Sequence, residues 1–320
     1  MKLKVVDFHC DALSKMQLNP GMDFNTDDKL DVTAERMERG NVMLQCFAIF
    51  VPKRLGSPNM GHILDQIDIY KTNVVPSGIH PLRFAEDLEW WERMDAKGGL
   101  LSLEGADGLE SNLHYLRICF DLGVRFLGLT WNNANWAADG IMEARGGGLT
   151  SKGGELVHLC HQLGMILDVS HLSHQGFWDL AELAEAAGRP FIASHSNAYR
   201  ICPHVRNLHD EQITAMIRMN GRIGVTFVPW FVHNSNIVSS KQLLPHIEHI
   251  CSLGGENHIM FGSDFDGIEY HLSDFSHCGQ YSEWAETLLK HYPEQLVRGW
   301  LYGNAVEFLR AWLPKKEKAL

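Results

Sequence analysis

The stretch VVDFHCDAL, residues 5–13, places three titratable side chains at the end of an apolar run. Asp7, His9 and Asp11 fall at every second position. Because a strand alternates its side chains between two faces, this spacing predicts that all three share one face. Buried polar groups are costly unless they are hydrogen-bonded or bind a cation. A structural histidine flanked by two capping aspartates is the alternative, and we favour a metal site.

Four further groups of the same chemical kind follow other apolar runs. Glu104 lies in SLEG, His171 in DVSH, His195 in ASHS and Asp264 in GSDFDG. Histidines combined with carboxylates suit Zn²⁺ or a similar borderline ion, whereas all-oxygen sites suit Mg²⁺ or Ca²⁺. Apart from Asp7, these groups make five candidate ligands and one spare carboxylate. One catalytic zinc usually has only three protein ligands. The set therefore favours two ions that share a bridging carboxylate.

Eight short apolar runs predict the strands that must position these groups. They are residues 3–6, 41–51, 99–103, 125–130, 165–170, 191–194, 222–228 and 259–262. The intervening segments have helical apolar spacing and end on glycine, as a helix C-cap would. They include residues 27–40, 108–123, 153–164, 174–188 and 209–221.

This alternation predicts an α/β protein, a single closed (β/α)8 TIM barrel over residues 1–320. A doubly wound open sheet competes, but no Gly-x-Gly-x-x-Gly follows the first strand. In a TIM barrel the C-terminal ends of the strands carry the chemistry, so the barrel would bring the ligand-type residues together. The charged tail at 313–320 is expected to fray.

Two alternatives stay open for Asp7, namely support of His9 or hydrogen bonding to backbone. Asp168 is interpreted as orienting a neighbour.

Composition limits the possible partners. A net charge of −11 argues against a nucleic-acid partner, which would need a basic stripe. The seven cysteines are scattered without a Cys-x-x-Cys pair, so neither a disulfide framework nor a thiolate zinc site is predicted. The N-terminus lacks the apolar core of a signal peptide and no apolar run approaches a membrane span. We therefore expect a cytoplasmic protein without a membrane partner.

The motifs DFHCD, SLEG, DVSHLS, ASHSNAY, RNLHDEQ and GSDFDG occur in this order between residues 7 and 267. Together they resemble the membrane (renal) dipeptidase family, among the amidohydrolase-like metal barrels. The resemblance implies two zinc ions, with His9 and Asp11 on one ion, and a homodimer. His171 and His195 would hold the other ion, and Glu104 would bridge the pair.

The resemblance also implies roles for two residues outside this ligand set. Arg206 would bind the C-terminal carboxylate of a dipeptide, since a guanidinium can donate two parallel hydrogen bonds to a carboxylate. Asp264 would contact the substrate near its scissile bond and free amino group, and shuttle a proton from a water that the two ions acidify. Asp264 and Glu104 are therefore the candidate catalytic residues.

One position departs from the pattern of the mammalian family members. Their fourth strand ends in LTH, and that histidine is associated with the scissile carbonyl, whereas Trp131 stands here in LTWNNANW. An indole N–H is a donor only, so it cannot replace the acid–base behaviour of histidine. Trp131 is expected to contact substrate as an apolar wall. Asn132 or Asn133 is a candidate replacement donor.

The sequence thus predicts a zinc metallopeptidase that hydrolyses dipeptides, L–D dipeptides among them. The first alternative is a related binuclear amidohydrolase that acts on an N-acyl amino acid, a cyclic amide or a β-lactam. The second is a non-catalytic metal-binding barrel whose pocket is closed by Trp131.

Overall fold

Nine parallel strands form the sheet of the protein, in a computed structural model that describes residues 2–316. The strands are β1 (Val5–Cys10), β2 (Val42–Ile49), β3 (Ile79–Pro81), β4 (Lys97–Glu104), β5 (Val124–Gly128), β6 (Ile166–Asp168), β7 (Ile192–Ala193), β8 (Arg222–Val225) and β9 (Ile259–Phe261). Their order is β2-β1-β9-β8-β7-β6-β5-β4, and pairing of β2 with β4 closes a barrel of eight strands. The predicted TIM barrel is confirmed.

The described residues form thirteen α-helices, most of them outside the barrel. They are α1 (Ala12–Leu18), α2 (Ala34–Gly40), α3 (Met60–Ile69), α4 (Ala85–Met94), α5 (Leu113–Leu122), α6 (Ser151–Leu163), α7 (His174–Ala187), α8 (Asp210–Arg218), α9 (Pro229–Val232), α10 (Leu244–Ser252), α11 (Tyr281–His291), α12 (Glu294–Arg298) and α13 (Asn304–Trp312). Among residues 2–316, no helix has both the length and the apolar character needed to cross a bilayer.

The ninth strand, β3, was not predicted. It pairs only with the first residues of β4, from Lys97 to Gly99, and takes no part in closing the barrel. Its three residues Ile-His-Pro are too few to show a periodic pattern, and proline is rare inside strands.

The predicted helix ends agree with the structure in three cases. Gly123, Gly164 and Gly188 cap α5, α6 and α7 in the left-handed conformation, which costs glycine nothing because it lacks a Cβ. The segment predicted over 27–40 becomes helical only at Ala34. Thr33 begins this helix, because its side chain accepts a hydrogen bond from the backbone N–H of Arg36.

The inside of the barrel below the site is filled with apolar side chains. One cluster contains residues from seven strands, including Phe8 and Phe126, whose rings pack edge to face at 5.6 Å. Helices α4 and α13 contribute to the same cluster. This packed floor leaves the C-terminal mouth as the end of the barrel where polar groups converge.

The C-terminal tail predicted to fray begins at residue 313. Leu313 is buried, and the carbonyl of Pro314 accepts a hydrogen bond from the Ala85 N–H. Residues 317–320 lie outside the described residues.

Candidate metal centre and substrate cavity

All six ligand-type residues meet at the C-terminal mouth of the barrel. His9 is in β1, Asp11 follows it directly, and Glu104 is the last residue of β4. The other three, His171, His195 and Asp264, lie two or three residues beyond β6, β7 and β9. Asp11 and the three histidines are buried. The side chains of Glu104 and Asp264 are 9% and 17% exposed, so both can contact a ligand in the cavity above.

One half of the cluster surrounds His9. Its Nε2 lies 3.4 Å from Asp11 Oδ2, 3.5 Å from Glu104 Oε2 and 3.6 Å from Asp264 Oδ1. Neither His9 Nε2 nor Asp11 Oδ1 has a hydrogen-bond partner among residues 2–316, although both atoms are fully buried. Unpaired buried polar atoms that converge in this way fit a bound cation.

The other half of the cluster faces the second oxygen of Glu104. His171 Nε2 is 2.7 Å from Glu104 Oε1, and His195 Nε2 is 3.7 Å from the same oxygen. The two Nε2 atoms are 2.9 Å apart. The carboxylate of Glu104 therefore lies between two groups of nitrogen and oxygen donors, with one oxygen directed to each.

The charges of the cluster favour neutral imidazoles in this second half. Burial, reinforced by the nearby Arg206, lowers the pKa of His171 to about 4, and burial with His9 lowers the pKa of His195 well below its usual value. Burial opposes ionisation of Glu104, but His9 and His171 outweigh it and hold its pKa below the usual range. A neutral imidazole offers the lone pair that a metal ion requires.

The carboxylates of the first half repel one another. Burial, together with the charges of Asp11 and Glu104, raises the pKa of Asp264 to about 7. A cation placed among these carboxylates would relieve the repulsion and favour the ionised forms. The donor set therefore fits one or more divalent metal ions.

Both imidazoles of the second half are held through their other ring nitrogen. His171 Nδ1 lies 2.8 Å from Asn132 Oδ1, an acceptor, and this contact favours the tautomer that carries its proton on Nδ1. His195 Nδ1 lies 2.7 Å from Ser194 Oγ, and this hydroxyl donates to Asp168 Oδ2. Such contacts fix the tautomer that directs Nε2 at a metal. The interpretation of Asp168 as an orienting residue agrees with this chain.

Asp7 does not share a face with His9, which corrects the predicted alternation. Phe8 belongs to the cluster inside the barrel, and the register between β1 and β2 shifts between Asp7 and Cys10. The shift turns His9 toward the mouth. Asp7 Oδ1 instead accepts the backbone N–H groups of His9 and Ser263, at 3.2 and 2.9 Å. Of its two alternatives, hydrogen bonding to backbone is the one observed.

Arg206 is a buried cation beside this cluster. Its Nη2 donates to the carbonyl of His195 at 3.4 Å, while Nε and Nη1 have no acceptor within the part of the chain that the structure describes. Burial lowers its pKa to about 10, so the guanidinium remains charged at neutral pH. An unpaired buried guanidinium fits a carboxylate ligand, which would satisfy both free donors.

Arg206 and the cluster face one cavity, which we call the main chamber. It has a volume of about 790 Å³, and Asp11, Glu104, His171 and Asp264 are in its wall. This volume is within the range of small-molecule sites.

Trp131 forms part of the wall of the main chamber. Its ring packs 5.2 Å from that of Phe50 and 6.1 Å from that of His171, measured between centroids. Asn132 contacts His171, as described above. Asn133 is exposed and does not line the main chamber.

A closed (β/α)8 barrel with buried histidines and carboxylates at its mouth defines the chain as a metal-dependent hydrolase-type barrel. A family model described as membrane dipeptidase (peptidase family M19) matches residues 1–318. The chain therefore belongs to the membrane dipeptidase family, as its motifs predicted.

The chain is also similar in sequence to two proteins from other organisms. The chain is 30% identical over 294 residues to an uncharacterized dipeptidase of Schizosaccharomyces pombe, covering 83% of this chain and 69% of that protein. It is 34% identical over 194 residues to an uncharacterized protein encoded in the pqqA 5′ region of Klebsiella pneumoniae, covering 58% and 70%.

Solved structures of the same family superpose closely on the chain. A dipeptidase described as a metallo peptidase of family M19 has a TM-score of 0.89 at 26% identity and covers 98% of this chain and 99% of its own. A metallo peptidase from Rhodobacter sphaeroides, liganded with a phosphinate mimic of L-Ala-D-Ala, has a TM-score of 0.88 at 25% identity and covers 98% and 100%.

The sequence reasoning missed three residues that shape the site. Ser194 links Asp168 to His195, Phe50 packs on Trp131, and Gly267 lies against the carboxylates. Gly267 ends the motif GSDFDG and Ser194 lies in ASHS beside His195, so the sequence marked the positions of both but not their roles. The contact of Ser194 with Asp168 and that of Phe50 with Trp131 join residues far apart in the sequence, so local spacing does not indicate them.

Gly267→Ala should lower the affinity for metal about 10- to 100-fold. Loss of a contact that orients a metal ligand has an effect of this size. A Cβ there would overlap Asp11 Oδ2 and lie 2.8 Å from Asp264 Oδ1, so the carboxylates must move. Competition with a chromophoric chelator measures the affinity. Gly154→Ala is the matched control, since its Cβ meets nothing within 4 Å and its affinity should equal the wild type. Equal affinities in both variants would contradict the proposed packing.

Proposed function

We propose that the chain is a zinc-dependent dipeptidase that hydrolyses the peptide bond of dipeptides with a free C-terminus, L–D dipeptides among them. The observation that carries this proposal is the buried guanidinium of Arg206, whose Nε and Nη1 have no acceptor among residues 2–316, in the same cavity as the metal-type cluster. The likeness to a structure liganded with a mimic of L-Ala-D-Ala supports the substrate class.

His9 and Asp11 would hold one ion, His171 and His195 a second, and Glu104 would contribute one oxygen to each. The positions of the two Glu104 oxygens, which face different donors, support this division. When bound, two divalent ions supply Lewis acidity that polarises a carbonyl and lowers the pKa of a water molecule.

The chain's own residues would position the substrate and move the proton. Arg206 would fix the terminal carboxylate, which measures the distance from the C-terminus to the scissile bond. Asp264 Oδ1 lies at the edge of the cluster, and its partly exposed carboxylate can accept a proton from water and return it to the leaving amine. Trp131 and Phe50 would exclude water from one side of the scissile bond.

The proposal extends to location and assembly. All seven cysteines, which fall within residues 2–316, are free thiols, as suits a reducing cytoplasm. We propose a homodimer on the basis of the sequence resemblance.

Reconstitution with zinc should load about two ions per chain, because the cluster offers two sets of donors around one carboxylate. His171→Ala should lower this content, since it removes a nitrogen from the second set. Elemental analysis of desalted protein measures both values, and His114→Ala, a surface change on α5, is the control. One ion per chain in the wild type and in His171→Ala alike would refute the binuclear site.

Asp264→Asn should lower turnover by ~10²–10⁴-fold while the metal content stays at the wild-type value, because the amide cannot carry the proton. Asp121→Asn, at an exposed position of α5, is the matched control and should retain full turnover. Asp264 also lies within reach of an ion held by His9 and Asp11. If the variant loses an ion and recovers activity in excess zinc, Asp264 is a ligand and not a proton carrier.

A dipeptide should be hydrolysed far better than its C-terminal amide, because the amide lacks the charge that Arg206 binds. Arg206→Met should remove this preference and lower kcat/KM for the dipeptide at least ~30-fold, the effect of deleting one partner of a buried charge pair. Arg218→Met, on the exposed side of α8, is the control. Equal hydrolysis of acid and amide by the wild type would favour the alternative amidohydrolase acting on neutral amides.

A further inference from the structure

A second cavity opens beside the metal-type cluster, and we call it the side cavity. It has a volume of about 470 Å³ and reaches Glu104. Most of its wall is apolar and includes Val51, Pro58, Ile63 and the rings of Phe50 and Trp131, while Lys53 and Asp107 add charged groups to the lining. Phe50, Glu104 and Trp131 also line the main chamber, so the packed rings of Phe50 and Trp131 stand between the two spaces.

The barrel order places the side cavity opposite Arg206. Arg206 follows β7, and Phe50 and Val51 follow β2. In the order β2-β1-β9-β8-β7-β6-β5-β4, closed by β2 and β4, these two strands are diametrically opposed. The side cavity is completed by the segments after β4, which pairs with β2, and after β5, the next strand along. Glu104 lies between the cavity and the guanidinium.

This arrangement sets the direction of a bound dipeptide. With its carboxylate on Arg206 and its scissile carbonyl at the cluster, the second residue occupies the main chamber. The first residue then lies beyond the cluster, on the β2 and β4 side of the mouth. The side cavity is the apolar space on that side, and a dipeptide has one side chain there.

We propose that the side cavity binds the side chain of the first residue of the dipeptide and selects large apolar or aromatic side chains. This inference rests on the proposed dipeptidase activity and names the substrate class of that site. The flat faces of Trp131 and Phe50 match an aromatic or branched aliphatic group.

Two glycines keep the floor of the cavity open. Gly105 has a φ of +92°, a conformation that suits glycine, and a Cβ there would lie 2.9 Å from Asp107 Oδ2. A Cβ at Gly108 would lie 2.7 Å from Ile63 Cδ1. Both glycines line the cavity, and a side chain at either position would displace Asp107 or Ile63, which line it too.

The test compares dipeptides that differ only at the first residue. Zinc-loaded wild type is assayed with Ala-Ala, Leu-Ala and Phe-Ala, each with L- and D-alanine at the second position. In whichever series, L-alanine or D-alanine, is hydrolysed faster, we expect kcat/KM to be at least about tenfold higher for Leu-Ala and Phe-Ala than for Ala-Ala. Burial of several additional methylene-sized groups gives a difference of this size. A reverse series, Ala-Leu and Ala-Phe, varies the second residue alone.

Val51→Trp fills the side cavity and should lower kcat/KM for Leu-Ala and Phe-Ala by about tenfold, while Ala-Ala and the reverse series change less than about threefold. Ile237→Trp is the matched control, because Ile237 is exposed and lines neither cavity, and it should behave as the wild type. Ala134→Phe fills the same cavity from a half-buried loop position and replaces Val51→Trp if that variant does not fold.

The outcomes separate this inference from the proposed function. No hydrolysis of any dipeptide by the wild type would overturn the dipeptidase proposal and the inference with it. Hydrolysis without preference at the first residue, or equal losses across both series in the filled variants, would overturn the inference alone. A preference that Val51→Trp or Ala134→Phe removes, while Ile237→Trp keeps it, would support the side cavity as the specificity site.

Discussion

The site depends on the placement of Glu104 between two sets of donors in a volume that water scarcely reaches. Asp11, Glu104 and Asp264 crowd together there, and their mutual repulsion with desolvation raises the pKa of Asp264 to about 7. Burying several carboxylates is unfavourable unless cations compensate them. The imidazoles of His171 and His195, kept neutral by burial, complete a donor set that fits a metal ion.

The barrel supplies this geometry because five of its parallel strands, β1, β4, β6, β7 and β9, bring the six ligand-type residues to the same mouth. Several strands are short, and β7 has only two residues in regular pairing. Gly224 and Gly262 lie so close to the carbonyl of Ser194 that a Cβ on either would overlap it. These two glycines let the strands approach where the chain turns inward at His195. The hydroxyl of Ser194 then connects His195 to Asp168 of the neighbouring strand.

Polar and apolar surfaces lie on opposite sides of the cluster, and the proposed dipeptidase would use both to recognise its substrate. Arg206 offers a fixed charge after β7, while Phe50 and Trp131 form an aromatic wall after β2 and β5. In the proposed function, the polar contact would set where the substrate ends, and apolar contacts would set which side chains fit. Trp131 thus shapes the wall of the main chamber without belonging to the ligand-type cluster.

The amino-acid sequence by itself determined the barrel, the family and the six ligand-type residues, because each follows a short apolar run and the ends of parallel strands meet. It did not determine the direction of Asp7, since a shift in the pairing of β1 with β2 breaks the alternation on which that prediction depended. Tertiary structure alone decided that Asn132 holds His171, that Ser194 holds His195, and that a side cavity lies behind Trp131. The physical reason is the same in each case. Asn132 and His171 follow different strands, and the Ser194 hydroxyl that contacts His195 is itself held by Asp168 of the neighbouring strand. The side cavity is lined by segments that follow several strands, so this geometry depends on the closure of the barrel and not on local spacing.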